Sequence, residues 1–325
     1  MIIPQYWAEA RIVQRVEKRQ VTVRRFGWSD VGQEAAQAHA QTRAEEALAR
    51  ILNGERLERR ELKSAYNGAA GVPIREEIVA RIGDAVITRN SYGARCLNTP
   101  GVLFADIDFD ERPPAALGQV IAAVTLLGAG AVGWGLHSWW AAIIAGFVSL
   151  FLGYWFFERE YRRRLADSGG TEQRARDRVA QFCAVHPAWH LRLYRTPAGL
   201  RVLAMHRTFD AAEPEVADCF SALGVDRVYA RMCLNQHCFR ARLSAKPWRI
   251  GVGERLRPRP GVWPINPERL PERLAWVERY EAAARGYAAC RFLEALGSST
   301  VDPAARAVQE LHDEQCGALG SLPLA

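Results

Sequence analysis

The stretch LFADIDFD, residues 103–110, sets Asp106, Asp108 and Asp110 at alternate positions. Side chains two apart on an extended strand point to one face, so these carboxylates would line up as a row of hard oxygen ligands. Such a row suits Mg2+ or Mn2+, ions that take carboxylates together with substrate phosphates. The same pattern also fits a solvated strand end whose acids approach nearby arginines. A second concentrated stretch, RMCLNQHCFRARLSAKPWRIG (231–251), carries Arg240, Arg242 and Lys246, with Phe239 and Trp248 beside them. Together with Arg195 and Arg201 of YRTPAGLR (194–201), these cations could grip phosphates by charge-assisted hydrogen bonds while an aromatic ring stacks on a base. The alternative is an exposed basic face against anionic lipid. Cys233, His237 and Cys238 are metal-capable types, but their spacing fits no standard zinc pattern. No GxxxxGK[ST], GxSxG or HExxH occurs, which weighs against the commonest nucleotidase, hydrolase and zinc-protease chemistries.

Directly after the aspartates the chain becomes apolar. Between Arg112 and Glu158 lie about 45 residues without Asp, Glu, Lys or Arg, roughly twice the ~20 that one helical span needs. The stretch therefore predicts a transmembrane helical hairpin over 113–157, with spans at 115–135 and 139–157 and a reversal at Gly135–Ser138. Trp134, Trp139 and Trp140 mark the reversal and Trp155 the far end, where amphipathic rings prefer the headgroup level. Arg162, Arg163 and Arg164 follow the second span while the reversal carries no positive charge, so both soluble flanks are expected in the cytoplasm. Gly128, Gly130, Gly133 and Gly135 present small residues for close packing against a partner helix, including that of a second copy in a homo-oligomer. The lipid bilayer is thus the first expected partner.

Around this insert the periodicity predicts an α+β domain in two parts, 1–112 and 158–255, followed by a proline-rich connector and helical tail, 256–325. Two alternating strands, 9–16 and 21–26, precede a helix capped by Ser29 or Asp30 and stopped by Gly54. Short strands are expected at 77–81, 85–88 and 102–108, with another around Arg95. After the insert come a helix at 171–185, the strands LRLYR and LRVLAMHR around a TPAG turn, a helix from Pro214 to Gly224, and DRVYARMC (226–233) as a strand. Skipping the insert, the order from the aspartates is βαββαβ in an antiparallel sheet.

The hhDhD pattern of LFADIDF on the first strand of such an RRM-like unit resembles the palm-like core of archaeo-eukaryotic primases and, more loosely, other nucleotidyl-transfer palms. In those families this motif carries metal ligands, so the resemblance implies that role for Asp106 and Asp108, with a nucleotide or nucleic acid as partner. It covers about 102–233. The chain departs from the family in two places: YRTPAGLRVLAMH offers Arg195, Thr196, Arg201 and His206 but no clean second motif, and only Asp210 and Asp226 stand for the third acid.

Composition narrows the setting. The net charge of +7 is nearly all arginine, with Lys18, Lys63 and Lys246 the only lysines, a bias of a GC-rich coding genome rather than of a nucleic-acid surface. Seven cysteines, an odd number spread from Cys96 to Cys316, do not resemble a secreted disulfide framework, and the N-terminus lacks the features of a signal peptide. The expected place is the inner membrane of a bacterium. Two functions fit these residues: metal-dependent nucleotide binding or phosphoryl transfer at the cytoplasmic face, or a non-catalytic membrane-anchored scaffold that binds lipid headgroups or a protein.

Overall fold

The computed structural model describes residues 3–16, 19–61, 72–109, 115–167, 169–259 and 263–325. The chain is α+β, with antiparallel pairing, and divides into two compact units, Met1–Ile107 with Phe182–Ala325, and Asp108–Gln181.

In the first unit, β1 (Tyr6–Val16) and β2 (Arg19–Ser29) form an antiparallel ribbon with Tyr6 opposite Ser29. Helix α1 (Gln33–Leu52) lies on it through Ala36, Ala40, Ala44 and Ala47, small residues at helical spacing that let the two backbones approach closely. The helix starts two to three residues later than its cap signals predict: Gly32 is the N-cap, while Ser29 Oγ accepts from Val31 N–H and Asp30 from Gln5 N–H. Gly27 marks the closest approach, since a Cβ there would lie 2.1 Å from Ala40 N and 2.3 Å from Ala36 O. Both neighbours are backbone and cannot rotate away. A Gly27→Ala substitution is expected to cost about 3 kcal/mol, the upper end for overpacking, read as a lower urea midpoint of the full chain in detergent micelles.

Strands β3 (Glu77–Ile82), β4 (Ala85–Arg89) and β5 (Arg95–Thr99) form a meander. A second sheet contains β6 (Phe104–Asp108), β7 (His190–Thr196) and β8 (Gly199–Ala204) in the order β7-β8-β6. Between them in sequence lie α2 (Ala115–Gly135), α3 (Trp139–Asp167) and α4 (Gly170–Val185). Helix α5 (Pro214–Leu223) has the predicted limits, with Pro214 in its first turn and Gly224 left-handed at φ 71°.

Two expected elements are different. DRVYARMC is not a strand: Arg227–Gln236 is helix α6, capped by the Asp226 carboxylate, which accepts from the N–H groups of Val228 and Tyr229. Its buried residues Met232, Cys233 and Gln236 follow the helical period that the apparent alternation concealed. The strand of this region is β9 (Phe239–Arg242), and it pairs with β5, completing the sheet β3-β4-β5-β9. The tail is not wholly helical either. After α7 (Leu270–Ala284), the segment RFLEALG is strand β10 (Arg291–Gly297), which pairs antiparallel with β7 and makes the second sheet β10-β7-β8-β6. Helix α8 (Pro303–Cys316) follows, between the Asp302 cap and a left-handed Gly317.

The sheets face each other edge to edge at β6 and β9, and side chains bridge them. The Tyr229 hydroxyl lies 2.9 Å from the Phe104 carbonyl and 3.0 Å from that of Arg240, and Arg201 Nη1 donates to the Arg242 carbonyl at 2.8 Å.

In the second unit, α3 is long and apolar enough to cross a membrane, and none of its apolar window is buried; in α2 the corresponding run, Ala122–Gly135, is shorter. Helix α3 also continues ten residues beyond the predicted end at 157, supported by the i,i+4 pairs Glu158–Arg162 and Glu160–Arg164. Of the glycines at 128, 130, 133 and 135 in α2, Gly133 packs on α3, where a Cβ would come 2.5 Å from that of Ala142, and Gly128, Gly130 and Gly135 face open space. Trp134 and Trp139 are 86% exposed at the reversal.

Candidate functional site

The acid row is not laid out as free ligands. On β6, Asp106 Oδ1 accepts from Arg201 Nε at 2.8 Å and Oδ2 from Nη2 at 3.4 Å. The Arg201 side chain is only 1% exposed and that of Asp106 37%, so this is the mouth of a buried charge rather than an open carboxylate. Asp108 is exposed at the strand end, and Asp110 lies outside the described residues. Among the described residues, no group of three metal-ligand atoms gathers around Asp106 or Asp108.

Of the predicted phosphate-gripping cations, Arg201, Arg240 and Arg195 are held by protein groups, while the buried Arg242 Nη1 has no hydrogen-bond partner among the described residues. Arg240 Nη2 lies 2.6 Å from Glu76 Oε2, both side chains under a tenth exposed, with burial opposed by the Glu76 charge. Arg195 donates to the carbonyls of Thr196 and Gly199 at the β7–β8 turn. Lys246 Nζ stands 5.5 Å over the Trp248 ring, and Arg242, half-buried, offers its carbonyl to Arg201. Cys233 and Cys238 are buried, while His237 is exposed 3.8 Å from Asp210, so these three do not form a metal group.

A different cluster does form, one that spacing rules did not select. Cys290 immediately precedes β10, and His312 and Cys316 sit four apart on one face of α8; all three are buried, and their ligand atoms lie within 4.8 Å of one another. Cys290 Sγ is 3.7 Å from His312 Nε2, and Cys316 Sγ is 3.5 Å from the Arg242 carbonyl. His312 Nδ1 meets Asp313 Oδ1 at 2.9 Å, and Asp313 is itself fixed by Arg192 at 2.9 Å and Gln309 at 2.6 Å. That carboxylate places a proton on Nδ1 and turns Nε2 toward Cys290 and Arg201 Nη1, 3.2 Å away. The rings of Tyr194 and Phe104 pack about the imidazole.

The electrostatics follow from these contacts. The hydrogen bond from Cys316 holds the Cys290 thiol well below its ordinary pKa despite burial, with the His312 charge adding to the effect. Burial pushes Cys316 the other way. Burial also pulls His312 down, but the Cys290 charge and the Asp313 hydrogen bond outweigh it and leave the imidazole raised. Two thiols and an imidazole could hold a metal ion, and their chemistry suits softer metals than the expected Mg2+ or Mn2+. The signal present in the sequence was the His312–Cys316 spacing of four on a capped helix; the third member is 22 residues before His312 and comes close only through β10. No protein-family model, curated protein or solved structure matches this chain.

Proposed function

We propose that this chain is a membrane-anchored scaffold. Helices α2 and α3 cross the bilayer as a hairpin, and the α+β unit is presented on the cytoplasmic side to a partner protein or to lipid headgroups. The observation that carries the reading is the state of the charges: Arg201 is committed to Asp106 and Arg240 to Glu76, inside the fold, where a phosphoryl-transfer site would leave cations free for substrate. The unburied apolar surface of α3, the exposed tryptophans at its start and the arginines after its apolar part support the anchor.

Metal-dependent phosphoryl or nucleotidyl transfer, with Mg2+ or Mn2+ on Asp106 and Asp108, is the competing reading; it draws support from the partial exposure of Asp106 beside Arg201. Calorimetric titration of the full chain in micelles with Mn2+ and nucleoside triphosphates separates the two. Once the heat of Mn2+–nucleotide complexation is subtracted, the scaffold predicts no saturable nucleotide binding. Saturable, Mn2+-dependent nucleotide binding that Asp108→Ala abolishes would establish the enzyme reading instead.

The anchor has its own test. Reporter fusions at Gly54, Gly170 and the C-terminus are expected to report cytoplasm and one at His137 the opposite side, and a C-terminus on the far side would remove the hairpin.

A further inference from the structure

We propose that Cys290, His312 and Cys316 bind one soft divalent ion of the Zn2+ class, which clamps the start of β10 to α8. The inference does not depend on the membrane reading. Four observations carry it.

Cys2His is a ligand set of zinc chemistry, and its members here come from two segments that the fold brings together. The spacing is near that of a coordination shell. With Zn–S about 2.3 Å and Zn–N about 2.0–2.1 Å, tetrahedral angles put sulfur and nitrogen about 3.6 Å apart, and Cys290 Sγ and His312 Nε2 are separated by 3.7 Å. A backbone oxygen is available as a fourth ligand: the Arg242 carbonyl is 3.5 Å from Cys316 Sγ, close to the distance between sulfur and oxygen on a shared tetrahedral ion. The outer shell is also built. Asp313, buried and held by Arg192 and Gln309, grips His312 Nδ1 and presents Nε2 inward, the carboxylate–histidine arrangement that orients metal ligands.

Arg201 Nη1 touches both Nε2 and the Arg242 carbonyl, so the ion must displace that one nitrogen. Asp106 keeps hold of Nε and Nη2, and the guanidinium remains paired. Binding requires both thiols as thiolates, their protons passing to solvent, and the two negative charges offset the ion beside a buried cation. No oxidation is involved.

The test uses the reduced full chain in detergent micelles, titrated with Co2+ as a spectroscopic stand-in for Zn2+. The expected result is one equivalent of Co2+ with thiolate-to-metal charge-transfer bands and the visible bands of tetrahedral cobalt, both lost on adding one equivalent of Zn2+. Cys290→Ser and Cys316→Ser are each expected to abolish the bands, Cys233→Ser and Cys238→Ser to leave them. Asp313→Asn should keep the bands but weaken affinity by about 10–100-fold. Because serine in a buried site can disturb folding, the wild-type chain supplies a second readout: Zn2+ should slow the alkylation of the buried Cys290 and Cys316, mapped by mass spectrometry over time, while Mg2+ does not. Absence of thiolate bands at saturating Co2+, their survival in the Cys290→Ser/Cys316→Ser double variant, or a Cys290–Cys316 disulfide whose reduced form ignores Co2+ and Zn2+ would overturn the proposal.

Discussion

Replacing Glu76 by alanine is expected to lower the unfolding free energy by about 3–5 kcal/mol, the range for removing one partner of a buried ion pair. Glu76 Oε2 accepts from Arg240 Nη2 at 2.6 Å and from the Thr88 hydroxyl at 2.7 Å, and Asn98 Nδ2 donates to that hydroxyl at 3.0 Å. Removal strands a guanidinium that is 6% exposed and whose Nη1 already has no hydrogen-bond partner. It also leaves the Thr88 hydroxyl proton without its acceptor inside the β3-β4-β5-β9 sheet. The melting midpoint of the full chain in micelles should fall by about 10 °C, at roughly 2–4 °C per kcal/mol for a unit of this size. Glu76→Gln keeps an acceptor and loses only the charge, so its midpoint should lie between. Equal midpoints for Glu76→Ala and wild type would mean that Arg240 reaches solvent and is available to ligands, which would revive it as a phosphate contact.

An Asp106→Asn variant is expected to lose about 3 kcal/mol, because it leaves the Arg201 guanidinium buried without its counter-charge. The complementary Arg201→Met variant should lose less. It leaves behind a carboxylate whose side chain is 37% exposed and can turn to water, and methionine fills much of the vacated volume. This asymmetry distinguishes a structural pair from a catalytic ligand. If Asp106 were an open metal ligand, its neutralisation would leave stability unchanged or improved and would remove Mn2+ binding. Urea midpoints and Mn2+ calorimetry on the same three proteins decide between these outcomes, and a stabilised Asp106→Asn protein would restore the acid-row reading.

The elements that were legible in the sequence are those whose signals are local. Pro214 and Gly224 bound α5, and the uncharged run after Arg112 announced the apolar helices, because caps, turns and hydrophobic length act within a few residues. Where two local readings competed, tertiary contact chose. DRVYARMC alternates well enough for a strand, yet the Asp226 cap and the Tyr229 hydroxyl bridging β6 and β9 make it a helix; RFLEALG passes for helix until β7 offers it an edge. The chemistry was the least legible part. Whether an aspartate is a ligand or half of an ion pair depends on what arrives opposite it, and Arg201 arrives from 95 residues away, as Glu76 reaches Arg240 across 164. Residue type and spacing by themselves determined which groups could carry charge or metal. Folding decided which of them neutralise one another and brought Cys290 onto the His312–Cys316 face, since a site is defined by distance in space and the chain records only distance along itself.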